Sequence, residues 1–415
     1  MKNHTYYRII LRLASPLSVG SGKNEFSDHD CIRRNNGSPY IPASSVAGVF
    51  RHYFDGNREL QENVFGKTGS FPIKSGIIFY DAELLNESVF SIRDSVQLKN
   101  KTGVDGAKFN MEVVETGAEF VTYIETDGNN SDKQPYVEEL LSALRNDILR
   151  FGTKTSRGYG MVEIISLKKT GFNLDIPEQL DKWLDFDMFD PSVWESCREY
   201  EHKTHTGNVF NIHIELKQNS PVSIRVYTTD CAEKNRTSPD YKHITLRNGL
   251  PVIPGTSWAG AFRERFASFT GEDDADKLFG FVKQAENDSD INKKTTVTQR
   301  SRIRFSESII KNAVPKNITR NSIDRFSAKT KDSALYTEKT YYNGETSLNI
   351  TVPDDITEKE KMCIGAVLYD LNKGYMSVGG LTTVGHGIFS VKSISVNNVD
   401  KTNCFSPESL PEIWR

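Results

Sequence analysis

The sequence predicts an α+β protein with two tandem ferredoxin-like domains, each built in the order strand, helix, strand, strand, helix, strand. Three observations lead to this prediction. A stretch of 27 residues occurs twice, a glycine-rich turn occurs twice, and the apolar patterns around them follow the same order in both halves.

The repeated stretch places Asp28–Phe54 over Asp240–Phe266 at a constant offset of 212, without a gap and with 11 identical pairs in 27 positions. The glycine-rich turn is shared by Phe151–Ile164 and Val378–Val391, where the two Gly-x-Gly motifs align at an offset of 227. Because the offset grows along the chain, the second copy is the longer one. We therefore infer one domain that is present twice.

Hydrophobic periodicity predicts the elements of each copy. A seryl or threonyl residue, Ser44 or Ser45 in one copy and Thr256 or Ser257 in the other, is expected to cap the first helix. In the first copy we expect strands at Tyr6–Leu13, Gly76–Asp81, Gly117–Glu125 and Gly160–Leu167, and helices within Ile41–Phe54 and Val137–Leu149. In the second copy we expect strands at Val209–Leu216, Ser301–Ser306, Thr346–Val352 and Gly387–Ile394, and helices within Ile253–Phe266 and Glu358–Leu371.

Composition limits the function classes. The 52 basic and 55 acidic residues leave a net charge of −3, which argues against binding through bulk positive charge but not against a local basic groove. No uninterrupted apolar run approaches 18 residues, so we expect no membrane partner. The five cysteines form no closely spaced pair, which argues against a zinc site, and the start of the chain does not resemble a signal peptide. We therefore expect a cytoplasmic protein.

The motif IPGTSWAGAFR at Ile253–Arg263 and its counterpart IPASSVAGVFR at Ile41–Arg51 resemble the signature of the RAMP superfamily of CRISPR-associated proteins. The turn GTKTSRGYG resembles the glycine-rich loop of that superfamily. The segment Asn321–Ser347, and more weakly Lys101–Phe120, resembles the thumb of the backbone subunit of type III effector complexes. Two fused copies suggest a type III-D-like variant, in which backbone subunits are joined in one polypeptide.

The resemblance divides the chain into four parts. These are a first RAMP domain at 1–168 with a thumb at about 96–120, an acidic linker at 169–206, a second RAMP domain at 207–398 with a thumb at about 293–347, and a tail at 399–415. Between Asp175 and Glu201 nine acidic residues stand against two basic ones. This segment is either a linker with one or two short helices packed on a domain surface or a docking segment for a neighbouring subunit.

The resemblance also implies partners and chemistry. Subunits of this kind coat a guide CRISPR RNA, pair with other subunits of the effector complex, and cut a complementary target RNA. The cut is a metal-dependent attack by the ribose 2′-hydroxyl group, and the matching aspartates here are Asp28 and Asp240, as catalytic residues and as ligands of Mg²⁺ or another divalent cation. Asp30 is a local rival of Asp28, and His29 and His243 are either proton carriers or surface residues.

Phosphate contacts are expected from helix-start amides, glycine-rich turns and basic side chains. In the second thumb, Lys293–Thr340 holds 12 basic against four acidic residues, and Phe326, Leu335 and Tyr336, with Phe109 and Met111 in the first thumb, could stack against bases. The expected RNA-binding residues are Ser44, Ser45, Arg51, Lys154, Ser156, Arg157, Gly158, Thr256, Ser257, Arg263, Arg320 and Arg325.

Three alternatives to a cleaving subunit follow from the same residues. The first is a scaffold that binds guide RNA without cleaving. The second is a guide-processing ribonuclease with metal-free histidine chemistry, against which the thumb-like segments argue. The third is a tandem RNA-recognition protein, which the absence of its aromatic stacking motif makes the weakest of the three.

Overall fold

The computed structural model describes residues 3–22, 28–99, 102–126, 133–200, 209–226, 239–284, 296–332 and 334–415. The chain divides into two compact units, residues 1–155 with 159–207, and residues 156–158 with 208–415. Both units are mixed α+β domains with the predicted ferredoxin-like order of elements, each carrying an inserted hairpin. The expected domain boundary at 206/207 lies outside the described residues.

The first unit contains ten strands and four helices within the described residues. They are β1 Asn3–Leu13, β2 Gly20–Gly22, β3 Asp30–Cys31, β4 Tyr40–Ile41, α1 Ala43–Tyr53, α2 Arg58–Phe65, β5 Ile77–Phe79, β6 Ala82–Leu84, β7 Phe90–Lys99, β8 Thr102–Val114, β9 Glu119–Thr126, α3 Gln134–Arg145, β10 Val162–Asn173 and α4 Pro177–Leu184. A 3₁₀ turn at Pro191–Trp194 also lies in this unit, and another at Thr155–Arg157 lies where the chain passes between the two units.

The sheet of the first unit has β1 at its centre, paired antiparallel with β9 on one side and β10 on the other. The second core strand is split into β5 and β6, and both pieces pair with β9. Along β1 the side chains of Tyr7, Ile9, Leu11 and Leu13 alternate toward the core, where they pack with α1 and α3. Period-two alternation thus places both helices on one face of the sheet.

The other face of this sheet is covered by the acidic segment that follows β10. Trp194 is completely buried in a small cluster with Tyr6, Val121 and Tyr123, which project from β1 and β9. The Trp194 indole nitrogen donates a hydrogen bond of 2.8 Å to the carbonyl oxygen of Met188. The acidic residues of the segment therefore lie on a part of the chain that is anchored to the sheet by aromatic side chains.

The second unit contains twelve strands and three helices within the described residues. They are β11 Val209–Gln218, β12 Tyr241–Lys242, β13 Val252–Ile253, α5 Gly255–Thr270, α6 Glu272–Phe279, β14 Phe281–Gln284, β15 Thr296–Gln299, β16 Arg304–Phe305, β17 Ser308–Ile309, β18 Val314–Arg320, β19 Tyr336–Tyr342, β20 Glu345–Pro353, α7 Glu358–Lys373, β21 Phe389–Val396 and β22 Val399–Asp400. Two 3₁₀ turns lie at Thr382–Val384 and Leu410–Trp414.

The sheet of the second unit repeats the arrangement of the first. Its order is β16, β20, β11, β21, β22, so that the first core strand again lies between the third and the fourth. A register shift between Glu215 and Leu216 of β11 matches the shift between Ile10 and Leu11 of β1. Trp258, Phe262 and other apolar side chains of α5, together with those of α7, form the core against this sheet.

The inserted segments are antiparallel hairpins, and their limits differ from the expected thumbs. We call β7–β8 the first hairpin and β18–β19 the second hairpin. The first hairpin begins at Phe90, before the expected limit at 96, and residues 119–120 already belong to core strand β9. The second hairpin spans 314–342, while Arg304–Phe305, inside the expected limits, is a core strand. Residues 100–101, 293–295 and 333 of the expected thumbs lie outside the described residues.

Among the described residues, no helix combines the length and the apolar character that a membrane crossing requires.

Replacing Trp194 with alanine should lower the free energy of unfolding of the first unit by about 3–5 kcal/mol, because a fully buried indole leaves a large cavity. Chemical denaturation followed by circular dichroism measures the change. Leu184→Ala is the matched control in the same segment, since Leu184 is 67% exposed. Equal effects of the two substitutions would contradict the packing described for Trp194.

Candidate nucleic-acid interface

In the first unit, the loop that precedes the signature helix α1 is hydrogen-bonded to the returning strand of the first hairpin. The backbone amide of Asp28 donates to the Asn110 Oδ1 atom at 2.9 Å, and the amide of Asn110 donates to the Asp28 Oδ2 atom at 3.1 Å. Two residues farther along, the amide of Glu112 donates to the carbonyl oxygen of His29 at 2.8 Å. The Glu112 carboxylate in turn accepts from the amide of Cys31 at 3.1 Å. Asp28 is therefore the first of several links between this loop and the hairpin.

The second unit repeats this contact with different residues. The amide of Thr337 on β19 donates to the Asp240 Oδ2 atom at 2.7 Å. The following strand β12 then pairs parallel with β19, with Tyr241 beside Glu338 and Lys242 beside Lys339. In both units, the aspartate predicted from the repeat accepts a hydrogen bond from a backbone amide of the returning hairpin strand. Sequence reasoning missed this contact because it joins residues 82 and 97 positions apart.

The first turns of the two signature helices are not capped as expected. The N-cap residues are Pro42 and Pro254, and neither helix has a side-chain cap from its seryl or threonyl residues. Instead, the amide of Ala43 donates to the Asp81 Oδ1 atom at 2.7 Å, from the second core strand region. The expectation that Ser44 or Ser45, and Thr256 or Ser257, cap these helices is wrong.

The serines and threonine of those first turns nevertheless lie at helix starts, as the RNA-contact prediction requires. The amides of Ser45 and Ser257 already donate to the carbonyl oxygens of Pro42 and Pro254, at 2.8 and 2.9 Å. Ser44 and Thr256 occupy the preceding helical position, and both are exposed. A phosphate at either helix start would therefore meet Ser44 or Thr256 first.

The glycine-rich turns are built by packing constraints that both copies share. Gly160 and Gly387 have φ angles of +75° and +78°, and a Cβ atom would lie 1.8 Å from the Phe151 carbonyl oxygen or 1.9 Å from that of Val378. Only glycine fits at these two positions. Before Gly160, the turn has a half-buried Ser156, an exposed Arg157 and a buried Gly158.

Lys154 of this turn region is directed toward the first hairpin. Its ammonium group lies 3.7 Å from the centroid of the Phe109 ring and 3.1 Å from the Met111 Sδ atom. Met111 is buried with Val113 and Tyr159 in a small apolar cluster. The expectation that Met111 could stack against bases is therefore wrong, because its side chain packs inside the unit.

The base of the second hairpin is ionic where that of the first is apolar. The fully buried Glu338 carboxylate accepts from Ser223, from Arg225 at 3.0 Å and from Arg320 at 3.3 Å. Burial opposes ionisation, but the hydrogen bonds from Arg225 and Ser223 outweigh it and lower the pKa of Glu338. The His386 Nε2 atom lies 2.6 Å from a guanidinium nitrogen of Arg320. Arg320, predicted to bind RNA, thus has its charge partly balanced inside the unit.

The tip of the second hairpin presents apolar and basic side chains to solvent. Phe326 is 94% exposed and Leu335 is 66% exposed, beside the exposed Arg325. The Asp324 carboxylate accepts from the amides of Ser327 at 2.8 Å and Phe326 at 3.0 Å, which lowers the pKa of Asp324 and shapes the turn. These exposed side chains are placed where a nucleic acid could contact them.

His243 is neither a surface residue nor placed to carry protons for Asp240. It is 3% exposed, its Nδ1 atom accepts from the amide of Ile224 at 2.9 Å, and its Nε2 atom lies 3.0 Å from the carbonyl oxygen of Val252. Burial lowers the pKa of His243 to about 4, so the imidazole is neutral near pH 7. His29, by contrast, is exposed.

The predicted metal positions each offer a single carboxylate. Among the described residues, no group of three histidine, cysteine, aspartate or glutamate side chains is placed to hold a metal ion. Mg²⁺ commonly binds one or two protein carboxylates together with phosphate oxygens and water. Asp28 and Asp240 therefore fit such a cation only where an RNA strand supplies further ligands.

Comparison with known protein families assigns the chain to one of them. A family model described as "RAMP superfamily" matches residues 10–163 and again residues 201–390. The chain belongs to the RAMP superfamily. The two separate matches mean that this RAMP protein contains the family's domain twice. No curated protein matches this RAMP protein at the sequence level.

One solved structure similar to this RAMP protein is described as "Cryo-EM structure of the Type III-B Cmr-beta bound to cognate target RNA". The similarity has a TM-score of 0.32 and 16% sequence identity, and it covers 46% of this chain. The matched part spans 61% of the length of that solved chain.

His243 should make the stability of the second unit depend on pH. Its pKa of about 4 lies below the ordinary value near 6.5, so between these values the unfolded chain binds a proton that the folded chain does not. Stability should fall as pH decreases through this window, by about 3 kcal/mol in total from this group. His243→Gln should remove that part of the pH dependence in urea unfolding at about pH 7 and about pH 4.5. His213→Gln, at an exposed histidine of β11, is the matched control for the substitution itself.

Proposed function

We propose that this protein is a guide-RNA-binding backbone subunit of a type III CRISPR effector, with two backbone units joined in one polypeptide as in a type III-D-like complex. Membership of the RAMP superfamily and the presence of two matched regions support the subunit assignment. The basic second hairpin, with Arg325 and Phe326 exposed at its tip, supports contact with RNA. Other subunits of the complex, guide RNA and target RNA are the proposed partners, in the cytoplasm.

We further propose that each domain cleaves target RNA once, at Asp28 and at Asp240. The observation that carries this proposal is the repeated placement of one carboxylate at the junction of the signature loop and the hairpin. A hairpin inserted into a guide–target duplex would bring the target backbone to that junction. The carboxylate could then accept the proton of a ribose 2′-hydroxyl group as the 2′-oxygen attacks the adjacent phosphorus atom. The bond from that phosphorus to the 5′-oxygen of the next nucleotide breaks, and the departing 5′-oxygen takes a proton from water, which leaves a 2′,3′-cyclic phosphate and a 5′-hydroxyl end.

A bound Mg²⁺ ion would stabilise negative charge on the phosphate during this reaction. Asp28 and Asp240 are the residues proposed to hold it. Four groups are proposed to position the RNA backbone. They are the side chains of Lys154 and Arg157 and the helix-start amides of Ser44 and Thr256.

A scaffold without cleavage is the second candidate, and one observation favours it. Each aspartate already has a structural task, because its carboxylate accepts from the amide of Asn110 or Thr337 and so holds the hairpin. Such a contact alone would account for the presence of aspartate at both positions.

Asn and Ala substitutions in the assembled complex separate the two candidates. Asparagine keeps a side-chain oxygen that can accept from the hairpin amide but removes the negative charge, whereas alanine removes both. If the aspartates are catalytic, Asp28→Asn and Asp28→Ala should each reduce one set of product bands by about 100-fold or more, and the Asp240 variants should reduce the other set. The measurement is cleavage of end-labelled target RNA with Mg²⁺.

Asp30→Asn is the matched control for Asp28, since Asp30 lies two residues away and aligns with Lys242 in the second copy. It should leave all bands unchanged. Retention of wild-type cleavage by both Asn variants, with cleavage abolished only in the Ala variants, would show that the carboxylates position the hairpins and do not catalyse. Unchanged bands in all four variants would contradict both roles.

A further inference from the structure

An open groove of about 500 Å³ lies in the first unit where the C-terminal end of α1 meets α2. Its charged lining consists of Arg51, Arg58, Lys67 and Glu62. Three cationic side chains and one acidic side chain thus line the groove. The groove is distinct from the start of α1, because Arg51 lies seven residues, or about 10 Å along the helix axis, from Ser44.

The single acid in this groove leaves positive charge unbalanced. The Glu62 carboxylate accepts from Arg58 at 2.9 Å and from Lys67 at 3.0 Å, and these two hydrogen bonds, the one from Lys67 having the larger effect, lower the pKa of Glu62. Within the described part of the chain, Arg51 has no acidic partner. The side chains that line the groove therefore sum to about two positive units, with the Asp55 carboxylate next to them on Gln61 at 3.1 Å, and this excess favours an anionic ligand.

The equivalent position in the second unit lacks this excess. Arg263 aligns with Arg51, but its guanidinium group pairs with Glu272 at 2.9 Å and with Asp276 at 2.5 Å. Helices α2 and α6 both have eight residues and both end before a glycine with a φ angle of +78°. Aligned on these glycines, Arg58 occupies the position of Glu272 and Glu62 that of Asp276.

Two positions therefore decide the charge of two otherwise similar sites, since Arg58 aligns with Glu272 and Lys67 with Phe281. Glutamate at 272 neutralises the arginine that both copies carry on the signature helix, whereas arginine at 58 adds a second guanidinium group beside it. An arginine pair with a lysine in an open groove matches the way proteins hold phosphate groups. The difference between the copies means that this anion site belongs to the first copy alone.

An exposed aromatic side chain narrows the class of ligand. The loop between Lys67 and Ile73 is closed by two backbone hydrogen bonds of 3.0 Å between these two residues, and both line the groove. Phe71, inside this loop, is 83% exposed, and Ile73 is 43% exposed. A cationic groove beside an exposed ring is the combination that binds single-stranded nucleotides, with phosphate on the cations and a base on the ring.

We propose that this groove binds a phosphate group of a single-stranded RNA or of a free nucleotide, with Arg51, Arg58 and Lys67 as its ligands and Phe71 as the platform for a base. The site lies outside the residues proposed for target cleavage. Its test needs only binding by the free, full-length chain, so a failure of the cleavage proposal leaves it intact.

The decisive variant introduces into the first unit the residue that the second unit has at the aligned position. Arg58→Glu places at this position the glutamate found at 272, in a helix that tolerates it in the other copy. Binding of a fluorescein-labelled oligouridine of about 12 nucleotides, measured by anisotropy at several KCl concentrations, should weaken about tenfold or more. The slope of log K against log[KCl] should become shallower by about 0.7 for each phosphate that the variant no longer neutralises. Arg145→Glu, the same charge change at an exposed site of the first unit, should change affinity less than about twofold.

Two further measurements use the reciprocal variant in the second unit and a free nucleotide as ligand. Glu272→Arg removes one acidic partner of Arg263 and should increase the affinity for the same oligouridine. Calorimetric titration with UTP distinguishes the source of the phosphate. Weakened oligouridine binding in Arg58→Glu with no UTP binding by either protein assigns the site to an RNA strand. UTP binding that Arg58→Glu abolishes, with unchanged oligouridine affinity, assigns it to a free nucleotide.

Two results would overturn the proposal. One is that Arg58→Glu binds both oligouridine and UTP as the unsubstituted chain does, or is weakened no more than Arg145→Glu. The other is that Arg58→Glu fails to retain a protein subunit in the assembled complex while its nucleotide binding is unchanged, which would make the groove a site for an acidic protein surface. Circular dichroism of each variant shows whether the fold is retained, and Arg51→Gln provides a milder second variant.

Discussion

The hydrogen bond between an aspartate side chain and a hairpin amide is the constraint on which the candidate site depends. Asp28 and Asp240 precede their signature helices by the same number of residues, and each accepts from the returning strand of its own hairpin. Neighbouring contacts reinforce this link, namely the hydrogen bond from the amide of Glu112 to His29 in the first copy and the pairing of β12 with β19 in the second. The signature loop, the hairpin and the start of the helix are thereby held together as one structural group.

Duplication preserved this geometry while the surrounding chemistry changed. At the hairpin base, the first copy packs Met111 against Tyr159, whereas the second copy places Glu338 and His386 at the aligned positions. An apolar contact in the first copy and a buried ionic network in the second thus occupy the same position at the base of the hairpin. Near the end of the signature helix the copies differ again, because Arg263 is neutralised and Arg51 is not. The two domains share an architecture but present different charges to a ligand.

Most of the architecture could be predicted, since alternation along strands such as β1 and the periodicity of α7 are local properties of the sequence. The predictions that failed concern contacts between residues that are far apart in the sequence. The amide of Ala43 at the start of α1 donates to Asp81 and not to Ser44 or Ser45, because the link between β5 and β6 brings the Asp81 carboxylate to that amide. His243 has the sequence context of a polar loop residue, yet both of its ring nitrogens contact backbone groups inside the unit.

The sequence by itself determined that one domain occurs twice, which two aspartates correspond, and that the family is the RAMP superfamily, because repeats and motifs are properties of residue order. Only the tertiary structure decided that Asp28 meets Asn110, that Trp194 anchors the acidic segment, and that Arg51 keeps its charge unbalanced while Arg263 does not. The physical reason is that burial and ion pairing depend on which side chains meet in space, and those partners lie far apart along the chain.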